Sequence, residues 1–312
     1  MYMKKIAILG VTGYVGRSLL REFFLENKKH KLFLFSRSKE KLHTHIPEVP
    51  KKVEYSIHSY EEFHKEEYDV IINCTGVSSN PDTQKNPYEL FKVAEDVDNL
   101  IIEYLYRHAT ALYINISSGV VYGNNFEKSV DEKSITTLPP GFSQGGEPYA
   151  ITKINAEAKH RALSMFNIVD IRVFGFFGSL VDTDSPFLMS EIVKSLRDKK
   201  VFITNKSNII RDYVSAQDLL VFIKCIIKKG TMNDYFDIYS KKPISKFELL
   251  EALTKKYKLV YAVTKEKAIG RKIIAKNAYF SKSKKATKIL DYKPERTSLQ
   301  AILGELERMK LH

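Results

Sequence analysis

Through the first 175 residues, short β-rich apolar runs alternate with longer amphipathic stretches. The runs Lys5–Leu9, Leu32–Phe35, Val53–Ile57, Val70–Asn73, Ala111–Ser117 and Val169–Phe174 read as strands. Between them Tyr14–Glu26, Pro87–His108 and Tyr149–Met165 carry helical periodicity. The last places Ala150, Ile154, Ala158 and Ala162 at steps of four, which predicts one small, apolar face. Strand, helix, strand in this order is the pattern of βαβ units feeding a parallel sheet. Beyond about residue 175 the order loosens, with helices predicted at Ser185–Arg197, Ala216–Lys228, Lys246–Lys256 and Ser298–Lys310 and strands at Val201–Thr204 and Tyr235–Ile238. This predicts a smaller lobe packed on the sheet. The longest predicted loop, Leu138 to Pro148 (LPPGFSQGGEP), borders Tyr149.

With 312 residues, 44% of them apolar, the chain can bury a sizeable core. Cys74 and Cys225 are too few for a disulfide framework and show no metal-clip or CxxC spacing, so a reducing, cytoplasmic setting is expected. The apolar run after MYMKK stops at Gly10, too early for a secretion signal, and no uncharged stretch approaches bilayer length. No membrane partner is expected. The net charge of +13 invites a nucleic-acid reading, but lysines are scattered along the whole chain. The densest cluster (Lys265, Lys267, Arg271, Lys272, Lys276, Lys282, Lys284, Lys285) lacks interleaved stacking aromatics, which favours a solvated surface over a nucleic-acid site. His43 and His45 flank Thr44 without carboxylate or cysteine partners at ligand spacing, so no metal is expected.

The first strand runs straight into Gly10, Gly13 and Gly16 and then into a helix. A strand-to-helix turn leaves backbone N–H groups unpaired at the helix N-terminus, where the macrodipole favours an anion. Side chains at the first two glycines would block a pyrophosphate, and the third lets the helix pack on the sheet. The spacing GxxGxxG is a modest signal alone, and a glycine-rich turn without ligand shares it. Its place at the first strand of an alternating chain points to a dinucleotide. The second strand ends in Ser36, Arg37 and Ser38, with no acid before Glu40. A carboxylate there would hold the ribose hydroxyl of NAD, whereas a guanidinium suits the extra phosphate of NADP. NADP(H) is therefore expected, with NAD(H) as the alternative; the plainer reading of Arg37 is a solvated loop residue.

Tyr149 and Lys153, four apart on a predicted helix, project from one face. A phenol with a pKa of about 10 exchanges protons poorly at neutrality, and a nearby ammonium favours its phenolate. The same lysine could reach the nicotinamide ribose. Chance alone often produces YxxxK, so position matters. Ser117 and Ser118 end the run YINISSGVVYG at the carboxyl edge of a predicted strand, where open α/β folds bind ligands. A hydroxyl there can polarise a substrate oxygen while Tyr149 moves its proton and a hydride passes to or from the cofactor.

Several ordered motifs together resemble one family: GVTGYVG at 10 to 16, DVIINCTG at 69 to 76, INISSGVVYG at 114 to 123, PYAITK at 148 to 153, IRVFGFFG at 171 to 178 and RDYVSAQDL at 211 to 219. YFDIYS at 235 to 240 and ILDYKP at 289 to 294 also fit, so the likeness spans nearly the whole chain. The chain resembles the extended short-chain dehydrogenase/reductases, also called NAD-dependent epimerases/dehydratases. The resemblance implies a doubly wound, Rossmann-like α/β domain over 1–175 and a smaller mixed C-terminal substrate lobe over 176–312, with some chain crossing between them. It also implies a homodimer acting on a nucleotide-linked sugar. Carried over by motif, Ser118 is the hydroxyl acid, Tyr149 the general acid/base and Lys153 its electrostatic partner. Cofactor contacts fall on Gly10, Thr12, Gly13, Tyr14, Val15, Gly16, Ser36, Arg37, Cys74, Thr75, Gly76, Ser117, Tyr149, Lys153 and Phe174. Substrate contacts fall on Ser118, Tyr122, Tyr149, Gly175 and Arg211, with Arg211 facing the diphosphate; its alternative is a structural pair with Asp212 or Asp218.

Departures from the family pattern narrow the reaction. Its 4,6-dehydratases place Asp-Glu directly after the catalytic hydroxyl, where this chain has Gly119 and Val120. Elimination then lacks its acid and base. A familiar asparagine is replaced by Gly175, and no Cys/His pair for 3,5-epimerisation is found. The expected function is an NADPH-dependent reductase of a 4-keto nucleotide sugar. An NAD-dependent 4-epimerase is the alternative, and a non-catalytic NADP-binding sensor or RNA-binding protein of the same fold is a third reading. Retention of Ser118, Tyr149 and Lys153 argues against the last.

Overall fold

The computed structural model describes residues 3–26, 30–46, 53–76, 86–123, 126–136, 147–264 and 277–311. Residues 138–146 of the predicted loop and the basic residues Lys265, Lys267, Arg271, Lys272 and Lys276 lie outside them, and the loop's last two residues, 147 and 148, belong instead to the following helix. In chain order the strands are β1 (Lys5–Leu9), β2 (Lys31–Phe35), β3 (Glu54–His58), β4 (Val70–Asn73), β5 (Leu112–Ser118), β6 (Asn167–Val173), β7 (Gly175–Phe176), β8 (Phe202–Asn205), β9 (Ile210–Arg211), β10 (Tyr213–Val214), β11 (Asp234–Ile238), β12 (Ile244–Ser245), β13 (Tyr261–Thr264) and β14 (Ala278–Tyr279). The helices are α1 (Tyr14–Leu25), α2 (Lys39–His45), α3 (Pro87–Arg107), α4 (Glu147–Ala162), α5 (Leu188–Arg197), α6 (Ala216–Lys229), α7 (Lys246–Tyr257), α8 (Lys285–Leu290) and α9 (Ser298–Arg308).

The main sheet has seven strands in the order β11-β6-β5-β4-β1-β2-β3. Every pairing in it is parallel. Alternate residues of β1 explain why both faces are covered. Ile6 and Ile8 enter a core with Leu19, Leu20 and Phe23 of α1 and Leu219 and Ile223 of α6, while Ala7 and Leu9 face Val97, Ile101 and Leu105 of α3. The chain winds outward from β1 to β2 and β3, then crosses to β4 and winds the other way. The order therefore reverses between β1 and β4, and the connections leaving their carboxyl ends part to leave a crevice.

Tyr235–Ile238, predicted as a strand of the lobe, is instead part of the edge strand of this sheet. β11 pairs with β6 from Asp234↔Val169 to Ile238↔Val173, and Phe236 and Ile238 are buried in the layer of α1 and α6. The lobe itself closes around Ile192 and Val193 of α5, Leu249, Leu250 and Leu253 of α7 and Ile302 and Leu306 of α9. Capping boxes begin α6 (Ser215 with Asp218), α7 (Ser245 with Glu248) and α9 (Thr297 with Gln300), fixing where each helix starts. Buried Glu22 of α1 pairs with Arg308 of α9, and buried Glu305 of α9 accepts from Arg21 at 3.1 Å and from the Ser179 N–H at 2.7 Å. These contacts tie lobe to sheet. Among the described residues, no helix is long and apolar enough to cross a membrane.

Of the small apolar face predicted from its sequence, α4 buries only the first half: Ala150 is buried and Ile154 packs beside Val121, Tyr122 and Phe174. Ala158 and Ala162 are exposed, whereas Lys153, Glu157 and His160 are buried. The cause lies in the strands beneath, because β5 and β6 present Asn115, Ser117, Asp170 and Arg172 there. Buried polar groups need partners, and the helix supplies them. Glu157 accepts from Arg172 Nη2 at 2.6 Å and from the Ser117 hydroxyl at 2.5 Å. His160 is enclosed between two carboxylates, with Nε2 2.8 Å from Asp98 and Nδ1 2.9 Å from Asp170. Both ring nitrogens face acceptors, so both carry protons. Burial alone would push His160 down, but Asp170 and Asp98 outweigh it and raise it to about 9. Burial works in the other direction on Asp98, yet His160 and Lys159 hold that carboxyl down to about 2.

A histidine raised in the folded state stabilises it fully below its unfolded value of about 6.5, and that contribution is lost as pH rises through about 9. The urea midpoint should therefore fall between pH 6.5 and 8.5, and the ring-nitrogen NMR shifts of His160 should report an imidazolium at pH 8. A neutral ring at that pH would remove the ion pair from the account.

Candidate active site

The crevice begins at Gly10, whose φ of +76° lies in the left-handed region. A Cβ there would sit 2.8 Å from both the Cys74 carbonyl carbon and the Thr75 nitrogen, so only glycine lets the end of β1 lie against the end of β4. A Cβ on Gly16 would come within 2.3 Å of the Gly10 carbonyl oxygen, which explains why α1 can start so close to the sheet. Gly13 is the N-cap of α1 and brings no capping side chain, and the first turn has no acid. The first N–H groups of α1 and its positive dipole end thus face the crevice, a cradle suited to a diphosphate. Thr12 and Val15 are half-buried beside it. The Tyr14 hydroxyl is engaged elsewhere: it accepts from the Gly178 N–H at 2.6 Å and donates to the Gly178 carbonyl at 3.1 Å. Tyr14 thereby latches the glycine turn to the first loop of the lobe.

At the end of β2 the buried Ser36 hydroxyl donates to the Ser38 carbonyl at 2.5 Å and accepts the Ser38 N–H, shaping a tight turn that leaves Arg37 exposed. The Ser38 hydroxyl donates to Glu40 at 2.7 Å and holds that carboxyl below its ordinary value. Tyr60, which opens the 3-10 turn Tyr60–Lys65 after β3, was not among the residues picked from sequence. Burial pushes its phenol up to about 12, opposed by the Arg37 cation and by a hydrogen bond from the Gly10 backbone. Tyr60 therefore lies within electrostatic reach of both the glycine turn and Arg37. No motif marks it, because its position depends on how β3 pairs with β2.

Across the crevice, β4 ends in Cys74, Thr75 and Gly76. Burial pushes the Cys74 thiol up to about 12, so it is an inert wall group. A Cβ on Gly76 would lie 3.6 Å from Lys153 Nζ, which places the lysine over this turn. Lys153 donates to the Ile116 carbonyl at 2.9 Å and its Nζ lies 5.9 Å from the centre of the Tyr149 ring. That bond pins α4 two residues before Ser118, the last residue of β5. Ser117 faces the other way, its hydroxyl held by Glu157, and is not brought into the crevice by its side chain.

The Ser118 hydroxyl lies 3.3 Å from that of Tyr279, a residue that sequence reasoning missed. Tyr279 is raised chiefly by burial, is further raised by Tyr149, and carries the Arg211 guanidinium 5.9 Å from its ring centre. Ser118, Tyr149, Tyr279 and Arg211 thus share one site. Topology brings them there: β14 pairs with β9 in the register Tyr279↔Arg211, so the same short sheet carries both lobe residues. Arg211 is half-buried, lowered by that burial, and donates to the Ile210 carbonyl at 2.9 Å. The two acids offered as its structural partners have others. Asp218 pairs with Arg296 at 2.8 Å, and Asp212 accepts from Ser298 at 2.9 Å and from the Ser240 N–H.

Tyr122 and Phe174 build the wall behind Ser118. The Tyr122 hydroxyl donates to Asp237 at 3.1 Å and its ring lies under the Arg172 guanidinium, so it offers shape and no free hydroxyl. Phe174 covers Gly119, where a Cβ would meet its ring at 2.5 Å. At Gly175 a Cβ would come within 2.5 Å of the Asp212 carbonyl oxygen. Both departures from the family pattern therefore sit where the neighbouring chain leaves no room for a side chain.

Residues 6–239 match the model of the NAD dependent epimerase/dehydratase family. No curated protein sequence matches the chain. Among solved structures, it is similar to an epimerase from the methanogen Methanothermobacter thermautotrophicus, with a TM-score of 0.80 at 17% identity over 98% of this chain and 92% of that one. It is also similar to UDP-glucuronic acid 4-epimerase from Bacillus cereus, solved with UDP-glucuronic acid and NAD, with a TM-score of 0.76 at 18% identity over 98% and 99% of the two chains. A third is dTDP-glucose 4,6-dehydratase from Bacillus anthracis, solved with NAD, with a TM-score of 0.76 at 14% identity over 99% and 97%. At such identities the shared property is the fold, a parallel sheet flanked by helices. The family match, covering well over half of the 312 residues and carrying both the glycine turn and the Ser118, Tyr149 and Lys153 set, places this chain in the NAD dependent epimerase/dehydratase family, as an enzyme of the extended short-chain dehydrogenase/reductase type.

Proposed function

We propose that this protein is an NADPH-dependent reductase acting on the 4-keto carbon of a nucleotide-linked sugar. The observation that carries the reading is the exposed Arg37 at the end of β2, with Glu40 already accepting from the Ser38 hydroxyl. A guanidinium there matches a 2′-phosphate and leaves no carboxylate poised for a ribose hydroxyl. Gly10, Gly13 and Gly16 would hold the pyrophosphate, and Cys74, Thr75, Gly76 and Lys153 would line the nicotinamide side. When bound, the dinucleotide supplies or accepts the hydride.

The chain's own residues do the rest. Ser118 donates to the substrate oxygen and Tyr149 gives it a proton as the carbonyl becomes a carbinol. The Lys153 ammonium stands by to stabilise the phenolate left behind. Arg211 would hold the sugar nucleotide's diphosphate. A dehydratase needs an acid and a base next to Ser118, and the contact between Gly119 and Phe174 leaves no space for the first of them. The second reading is an NAD-dependent 4-epimerase, in which the same groups return the hydride to the opposite face. It is favoured by the similarity to the B. cereus structure, a UDP-glucuronic acid 4-epimerase with NAD. The expected homodimer would pack on the exposed small face of α4, where Ala158 and Ala162 present no bulk.

Mass spectrometry of nucleotides retained by the purified protein separates the two readings: weakly held NADP with a nucleotide sugar supports the reductase, and tightly held NAD the epimerase. Tyr149→Phe should leave the melting temperature and dinucleotide affinity unchanged while lowering kcat by about 10² or more, the usual contribution of a positioned proton donor. Undiminished turnover would remove Tyr149 from the mechanism. Arg37→Glu should weaken NADPH binding by about tenfold or more and move selectivity toward NADH, since an ion pair to phosphate becomes a repulsion. Selectivity that does not move would show that Arg37 lies away from the 2′ position.

A further inference from the structure

Under the turn that follows β4, a file of hydrogen bonds runs from the crevice to the middle of the α3/α4 face, and none of its inner members has a place in the chemistry above. The Thr75 N–H and hydroxyl both donate to Asn73 Oδ1, at 2.9 and 2.5 Å. The Asn73 side-chain NH2 donates to the Tyr113 hydroxyl oxygen at 3.0 Å, and that hydroxyl donates to Asp98 Oδ1 at 2.6 Å. His160 Nε2 reaches the same oxygen at 2.8 Å, and Lys159 Nζ lies 2.6 Å from Oδ2. Asn73, Tyr113, Asp98 and His160 are all buried.

The file has one workable direction. A carboxylate can only accept, so Tyr113 must donate to Asp98 and can offer Asn73 only a lone pair. Asn73 must then point its NH2 toward Tyr113, which leaves its carbonyl oxygen for Thr75. Were the amide reversed, an NH2 would face the Thr75 N–H, donor against donor in a buried place. The two cations beside Asp98, His160 and Lys159, keep it the acceptor that sets the direction.

We propose that Tyr113 and Asp98 are positioning residues for the dinucleotide: through the Asn73 amide they fix the Cys74–Thr75–Gly76 turn that closes the crevice opposite Gly10. The role rests on the reading of that turn as a cofactor wall. Tyr113 and Asp98 touch neither cofactor nor substrate; they determine whether the turn is already in place when the cofactor arrives.

Fluorescence titration with NADPH tests this on the full chain. Tyr113→Phe keeps the buried ring and removes the hydroxyl, and Asn73→Leu removes the acceptor for Thr75. Each should raise the NADPH Kd by about tenfold, the scale of one oriented hydrogen bond. Because one residue acts through the other, the double variant should bind no more weakly than the weaker single variant. Tyr104→Phe is the control for simple loss of a buried hydroxyl. Tyr104 accepts from the Tyr68 N–H at 2.8 Å on the same face, so its loss should lower the melting temperature and leave Kd unchanged. Losses that add, or variants that bind as wild type does, overturn the proposal while the dinucleotide site stands. Wild-type protein that binds neither NADPH nor NADH overturns the site as well. Amide exchange in the wild-type protein gives an answer that needs no variant to fold: the Thr75 N–H should be protected before cofactor is added, and rapid exchange there would contradict a preset turn.

Discussion

The close approach of Gly10 to the Cys74–Thr75 peptide is the contact on which the rest of the structure depends. It occurs where the winding of the sheet reverses, so the ends of β1 and β4 are forced together while the connections leaving them diverge. A side chain at Gly10 would push β4 away, and one at Gly16 would push α1 off the Gly10 carbonyl. With both absent, the N-terminus of α1 points into the gap and Lys153 reaches over Gly76 from the far side. The glycine turn, the polar end near Lys153 and the Arg37 end are three edges of one backbone contact.

Convergence of the chemical groups follows from that frame by tethers. α4 would be free to slide along the sheet were it held only by apolar packing, but Lys153 bonds to the Ile116 carbonyl and Glu157 to Ser117 and Arg172. These bonds fix the register of α4, which carries Tyr149, on β5, which ends in Ser118. The lobe is registered differently, through β9 and β14, which carry Arg211 and Tyr279 side by side, and through Tyr14, which bonds to both backbone groups of Gly178. The glycine turn and the lobe thus share a residue.

Much of this was legible in the sequence, and the parts that were not have a common cause. Local signals gave β1 and β4 at their observed limits, the start of α1 and the pairing of Tyr149 with Lys153, because a strand, a glycine turn and one helical step are each contained in a few consecutive residues. Tyr279 lies 3.3 Å from Ser118 but 161 positions away in the chain, on a two-residue strand that exists only because β9 is beside it. β11 has the pattern of any short strand, and nothing in Asp234–Ile238 says which sheet it joins. The second half of the α4 face was misread for a related reason. A helix normally buries its apolar side, yet the strands below it are polar, and only the sheet register reveals that Asn73, Asn115 and Asp170 stand in one row.

That polar row explains why so much charge is tolerated in the core of a cofactor domain. An apolar helix over this row would leave Arg172 without its acid and Asp170 with only the Asn115 amide for a partner, at a cost of about 1 to 3 kcal/mol for each bond lost. Replacing the whole set by apolar residues would remove that cost, and in many proteins such a change is neutral or stabilising. It would also remove directionality. A buried leucine at position 73 would pack against Tyr113 as well as Asn73 does, but it could not hold the Thr75 N–H, and the turn facing Gly10 would lose the group that sets its shape. The charges on Asp98 and His160 are matched to each other across two helices, so the direction of every hydrogen bond between them and the crevice is decided far from any ligand.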